Sequence, residues 1–391
     1  MTINRRQLFS GLGSAALLSM LPRGILAAEP QERAALVVIH LRGGYNALFS
    51  SASGLIGNEF GVTRNNVADF GNGVVVDRIF DGFSSFTKNH MATIGINHGI
   101  SGHFIGRSAN YDFEGINPLL MIGAGLGGNA PIKAANLGPN GFFGSTKSFH
   151  DVTLQNVTDM ETALETLGSI PPSENSPNRA LAMAGLEMAK GNSQARFQQN
   201  PESLKQQLEG LDAGIATLST TQNAIELAAV KAAYGVASPK IANRDFAAQM
   251  AAAELMIRAG TNVISVSENR NWDTHGDRDG MRARELMRGI FPALKTFTNR
   301  MLQAQNLNVV VVLTGEFARS VPGSNHANCT AATVMGRYVQ GGTTGEINAN
   351  VTLKSMGIKR DYPQFWGFVS AALHAEQLVK TFGGNPHRLV V

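Results

Sequence analysis

Three short apolar runs constrain this chain more than any other feature: Ala34 to Leu41, Asn262 to Ser267 and Asn308 to Leu313. Each is far shorter than the roughly 18 apolar residues of a membrane-spanning helix. Ala34 to Leu41 and Asn308 to Leu313 are nearly unbroken and predict buried strands, as in a mostly parallel sheet with helices on either side, and Asn262 to Ser267 predicts a further strand. Each run also ends in glycine and polar residues, and in open α/β sheets ligands collect beyond the carboxyl ends of the strands.

The remaining pattern fits that frame. Met91 to Ile96 and Ala331 to Met335 read as further strands. Val76, Ile79, Phe80, Phe83 and Phe86 fall at helical spacing and predict a helix over Val74 to Asn89, making a strand–helix–strand unit with parallel pairing. Arg244 to Arg258 predicts an amphipathic helix stopped by Gly260, Arg278 to Gln305 a long helix, and Pro363 to Phe382 a closing one. Ser101 to Phe149 is glycine-rich and reads as long loops. Ser173 to Ser219 is polar and helix-prone, a helical insertion. The expected fold class is α/β: one domain over 29–391, a mostly parallel sheet sandwiched by helices.

The first 28 residues read differently. Arg5-Arg6 precedes Leu8-Phe9, a weakly apolar stretch from Gly11 to Leu21 and a small-residue exit at Ala27-Ala28. That is a secretion signal of twin-arginine type, which implies the twin-arginine export machinery as a partner and a periplasmic or extracellular location. Removing it takes away Arg5, Arg6 and Arg23 and no acid, so the formal charge falls from +4 to +1. No run of basic residues remains, which argues against nucleic-acid binding. A single cysteine, Cys329, excludes an internal disulfide and reads as a small buried hydrophobe.

Candidate chemistry lies in the strand-end clusters. The first holds Arg42-Gly43-Gly44-Tyr45-Asn46, the second Trp272-Asp273-Thr274-His275-Gly276, the third Gly315-Glu316-Phe317-Ala318-Arg319 followed by Asn325-His326. An aspartate and a histidine two residues apart on a strand-exit loop can face one metal, and further histidine or oxygen donors could complete the shell. The plainer reading of Asp273 and His275 is a helix cap, and that of Glu316 and Arg319 a structural ion pair. Ser101 is a candidate nucleophile; His103 is a ligand, a proton donor or a loop anchor. His40 reads as a core histidine. Gly123 to Gly128 has the spacing of a dinucleotide-binding loop, but Pro131 follows and no helix begins there, so that reading is rejected.

These motifs resemble those of the domain-of-unknown-function 1501 family, exported proteins related to alkaline phosphatases and sulfatases. The family's Leu-Arg-Gly-Gly-Asn-Asp pattern is matched by Leu41 to Asn46, its Ser-His-Phe by Ser101 to Phe104, and its Trp-Asp-Thr-His-Gly by Trp272 to Gly276. Its Ser-Glu-Phe-Gly-Arg is matched by Gly315 to Arg319 and its Gly-Thr-Asp-His-Gly by Gly323 to Ala327. The resemblance implies an alkaline-phosphatase-like fold and a metal-dependent phosphate- or sulfate-ester hydrolase. Its divalent ion (Zn, Mg, Mn or Ca) would involve Asp273, His275, His326, Glu316, Asn46 and Asn325, with Ser101, His103 and Arg319 as catalytic groups. Two family aspartates are replaced, by Asn46 and Asn325. The loss of two carboxylates points to a degraded two-metal site, or to a non-catalytic protein binding an envelope ligand on the same fold. The expected substrate is a small anionic ester.

Overall fold

The computed structural model describes residues 32–391 except 58–60, 101, 129, 139–145, 169–183, 186, 193, 195–225, 243–244, 269, 323–326 and 349–360. The signal reading of residues 1–28 and most of the 173–219 insertion lie outside the described residues.

Nine strands make the central sheet: β1 (Arg33–Leu41), β2 (Met91–Asn97), β3 (Ala134–Leu137), β4 (Ser148–Phe149), β5 (Val152–Val157), β6 (Val263–Glu268), β7 (Leu307–Gly315), β8 (Cys329–Gly336) and β9 (Gly342–Thr344). Their order is β9-β2-β8-β7-β1-β6-β3-β5-β4. The run β1-β6-β3-β5 is parallel, with Leu36 opposite Val263 and Leu41 opposite Glu268. β8 runs antiparallel to both β7 and β2.

The continuous apolar runs are explained by covering on both faces. In β1, Ala35, Val37, Ile39 and Leu41 enter one core while Leu36 and Val38 enter the other. In β7, Val309, Val311 and Leu313 alternate with Val310 and Val312 in the same way. Each such apolar side chain contributes roughly 1.5–3 kcal/mol on burial, which is why apolar residues dominate both faces of these strands.

Of the helices, α1 (Ser85–Asn89), α2 (His103–Asn110) and α3 (Pro118–Leu126) come early in the chain. Then follow α4 (Met160–Thr166), α5 (Leu227–Ala233), α6 (Phe246–Arg258), α7 (Met281–Met301), α8 (Tyr362–Ala372) and α9 (Glu376–Thr381). α6 and α7 cover the first face; α3, α8 and α9 cover the second. α6 stops as expected: Gly260 sits at φ +119°, its N–H bonds Ile257 O, and Thr261 N–H bonds Met256 O. That paired closure is a Schellman stop. Residues 34–391 form one compact unit. Among the described residues no helix is long and apolar enough to cross a membrane.

Several expectations are corrected. Residues 74–89 are not one helix but a short strand (Val75–Asp77), a 3-10 turn (Arg78–Gly82) and α1. Phe80 and Phe83 pack against Phe291, and Phe80 also against Phe49, so aromatic clustering mimicked a helical period. β1 and β2 lie in one sheet but β7 and β8 separate them, so that unit is not a neighbouring parallel pair. The stretch 101–149 holds α2, α3, β3 and β4 rather than loops alone. Gly123 and Gly125 sit inside α3, where a Cβ would press on Val152 and Leu378. The closing helix breaks in two around His374, at φ +58°.

Candidate metal and anion site

The site grows from the carboxyl ends of β1, β6 and β7, three strands adjacent in the sheet. Gly43, just past β1, is its hub. Gly43 has φ +123°, and a Cβ there would overlap the backbone of Trp272 and Asp273, so only glycine lets the β1 and β6 loops touch. The Gly43 N–H donates to both carboxylate oxygens of Glu316 at 3.0 Å, and its carbonyl accepts from Arg319 Nε at 3.1 Å and Nη2 at 3.0 Å. Glu316 and Arg319 are both fully buried. Each takes its side-chain partners from elsewhere, on opposite sides of Gly43, rather than forming the ion pair the sequence allowed.

Behind Gly43, Glu316 is gripped by two histidines. His103 Nδ1 lies 2.9 Å from Oε1 and His40 Nε2 3.2 Å from Oε2. His40 Nδ1 in turn lies 3.1 Å from the buried Tyr111 hydroxyl. Burial alone would favour the neutral acid, but the bonds from His103, His40 and Gly43 outweigh it, and the Glu316 carboxyl is held well below the usual carboxylate range. An ionised Glu316 can only accept, so His103 carries its proton on Nδ1.

His103 Nε2 then faces Asp273 Oδ2 at 3.4 Å, and His275 Nε2 faces Asp273 Oδ1 at 3.3 Å. The three residues offer ligand atoms all within 4.8 Å of one another. A tetrahedral ion bound at about 2.0–2.1 Å holds its ligand atoms about 3.3–3.4 Å apart; the two contacts run to different oxygens of Asp273, so binding one ion takes a small adjustment of the triad. Arg319 closes the far side: Nη2 donates to Asp273 Oδ1 at 2.5 Å and Nη1 to His275 Nδ1 at 3.2 Å, while its guanidinium stacks on Phe317.

Asp273, His275, His103, Glu316 and Arg319 are therefore brought together. Asn46 serves the backbone instead. Its Oδ1 caps a short 3-10 turn through Leu48 N–H at 3.0 Å, and its Nδ2 donates to Ser320 O at 3.3 Å. Both amide atoms are engaged in this way with the backbone. Ser101, Asn325 and His326 lie outside the described residues. The helix-capping role weighed for Asp273 falls to Asp277, which accepts from Arg282 and Ala283 N–H at the start of α7. Sequence reasoning placed His40 in the core without a role at the site, and it did not single out Tyr111, Arg107 or Arg270. The signal for His40 was its position, one residue before the end of β1 on the face of Leu36 and Val38.

Beside the cluster lies a cavity of about 260 Å³ lined by Arg42, Gly43, His103, Arg107, Arg270, Asn271 and Glu316. A hollow lined by arginines next to a histidine–carboxylate cluster can hold an anion against a cation.

Neither the curated proteins nor the solved structures contain a match to this chain. A family model described as a protein of unknown function (DUF1501) matches residues 107–359, well over half of the chain and inclusive of Asp273, His275, Glu316 and Arg319. The chain belongs to the DUF1501 family.

Proposed function

We propose that the protein is an exported, metal-dependent ester hydrolase on an alkaline-phosphatase-like α/β scaffold, working with one divalent ion rather than two. The observation that carries this reading is the spacing of His103, Asp273 and His275, with His103 oriented from behind by Glu316. A carboxylate holding the outer nitrogen of a histidine fixes the ring's tautomer and direction, as it does for metal-bound histidines generally. Two imidazoles and one carboxylate suit Zn or Mn better than Ca or Mg, which prefer all-oxygen shells. His275 joins once Arg319 leaves its Nδ1, because a neutral ring whose Nδ1 accepts carries its proton on Nε2; three protein ligands then leave a coordination position open, the arrangement of catalytic rather than structural sites. When bound, such an ion supplies Lewis-acid polarisation of an ester oxygen. The chain's own groups do the rest: Glu316 and Gly43 fix His103, and Arg319 fixes Asp273 while adding a permanent positive charge.

Metal analysis of the exported, folded protein tests the reading. The expected result is one divalent ion per chain, lost in Asp273→Ala, with a chelator-sensitive melting temperature. No bound metal, and a melt indifferent to chelator, would sink it.

The second reading is a non-catalytic envelope protein that binds its ligand in the same cleft. Two observations favour it: Asn46 is committed to backbone capping, and Arg319 already satisfies Asp273 and His275 without an ion. Restoring aspartate at positions 46 and 325 distinguishes the readings, because gained esterase activity identifies a lapsed two-metal enzyme. The twin-arginine route is tested by Arg5→Lys with Arg6→Lys, which is expected to stop export.

A further inference from the structure

We infer that the arginine-lined cavity is an oxyanion site built by the protein alone, and that its ligand is an anionic ester carrying an apolar group. That the ligand is an ester depends on the hydrolase reading; its charge and its apolar group rest on observations of their own.

Arg42 and Arg107 line the cavity, with Glu316 the sole carboxylate among its lining residues; Arg270 borders it too, but its guanidinium lies against Gly289 on α7. Glu316 is already held by His40, His103 and the Gly43 N–H. Arg107 is fixed through Nε, which donates to His103 O at 3.0 Å. Anchoring at Nε sets the plane of its fork before any ligand arrives, and the planar fork matches tetrahedral oxyanions. Arg42 and Arg107 line one cavity, so their like charges repel, and an anion between them relieves the repulsion. About 260 Å³ is smaller than most drug-sized pockets, which suits a phosphate-sized group with a short attachment.

The apolar half comes from α2. His103 and Arg107 are one helical turn apart and line the cavity together. Gly106 and Asn110 fall on the same stripe of the helix and are buried, with Gly106 set against Glu316. On its outer side α2 presents Phe104 and Ile105 to solvent, 77% and 63% exposed. Phe104 follows His103 by about 100° around the helix, so it stands next to the cavity face. An anion with an attached apolar group meets both features at once: its charge against the guanidiniums, its apolar part against Phe104.

The test is titration calorimetry on the full chain stripped of metal, with inorganic phosphate, methyl phosphate, phenyl phosphate and phenyl sulfate as probes. Phosphate is expected to bind without metal, and Arg42→Gln with Arg107→Gln to weaken it at least about tenfold. Arg42→Gln alone, at an exposed position, keeps the test sound if the double variant unfolds and is expected to weaken phosphate several-fold. Unchanged phosphate affinity in folded variants overturns the oxyanion site. Phenyl phosphate is expected to bind more tightly than methyl phosphate, and Phe104→Ser to remove that difference; its survival overturns the apolar half. Phenyl phosphate should also outbind phenyl sulfate, two charges against one, and the reverse order overturns a dianion preference. Absence of stoichiometric metal would sink the hydrolase reading alone, since every probe here is measured on metal-free protein.

Discussion

Glu254 and Glu316 are both completely buried beside cationic or histidine partners, and they are built in opposite ways. Glu254 on α6 is surrounded by permanent charge: Arg258 Nε at 2.9 Å, Arg300 Nε at 2.8 Å and Nη2 at 2.7 Å, with the Tyr234 hydroxyl at 2.9 Å. Its acceptors face fixed donors. Glu316 is held by His40, His103 and a backbone N–H, and each histidine passes the connection on through its second nitrogen, to Tyr111 or towards Asp273. Arginine always donates, whereas a histidine nitrogen donates, accepts or binds a metal. The first network ties α6 to α7; the second orients a group whose other end reaches the cavity. Buried charge alone does not mark a functional site, and the partner's second valence is what separates these two.

The comparison can be broken by substitution. Glu254→Ala leaves Arg300 and Arg258 without their carboxylate and is expected to cost about 3–5 kcal/mol in urea unfolding, with metal uptake unchanged in the folded fraction. Glu316→Gln is expected to do the reverse. It should weaken metal binding about 10–100-fold by titration, because His103 loses the acceptor that fixes its tautomer, and cost less stability than Glu254→Ala. Equal effects of both substitutions on metal affinity would erase the distinction.

Gly43→Ala forces a Cβ into the backbone at Asp273 and strains φ +123°. A loss of about 1–3 kcal/mol is expected, together with weaker metal binding, since the hub joins the β1 and β6 loops.

The pH response follows from both carboxylates being lowered in the fold, where burial opposes ionisation and the partners outweigh it. A group with a depressed folded pKa contributes stability that is present above its unfolded value, near 4.5, and lost as pH falls towards the folded value. Unfolding free energy should therefore decline from about pH 5 downwards, and either Glu→Gln substitution should flatten that slope. A slope unchanged in both variants would contradict the assignment. The smallest expected effect is Asn46→Ala, about 1 kcal/mol for loss of a cap, with no change in metal affinity. A large loss of metal affinity instead would return Asn46 to the ligand set.

Much of the sheet was legible because its signal is local. Runs such as Val309 to Leu313 contain no polar residue, and only a strand covered on both faces accommodates that. The second strand-end motif was legible too, since Asp273 and His275 stand two residues apart. The misreadings share one cause. Phe80, Phe83 and Phe86 have helical spacing, but the packing of Phe80 and Phe83 against Phe49 and Phe291 decided their conformation. Gly123 and Gly125 looked like loop residues, yet they allow α3 to lie close to Val152 and Leu378.

The sequence by itself determined that the chain forms an α/β sheet with polar clusters at its strand ends, because burial on two faces and the chemistry of a short loop are read within a few residues. Only the tertiary structure decided which of those residues act together. It joined Gly43 to Glu316, 273 positions apart, set His40 and His103 on that carboxylate, and left Asn46 to the backbone. Such pairings depend on which strands are neighbours and on a glycine that lets two loops touch. Neither is encoded in the spacing of residues along the chain.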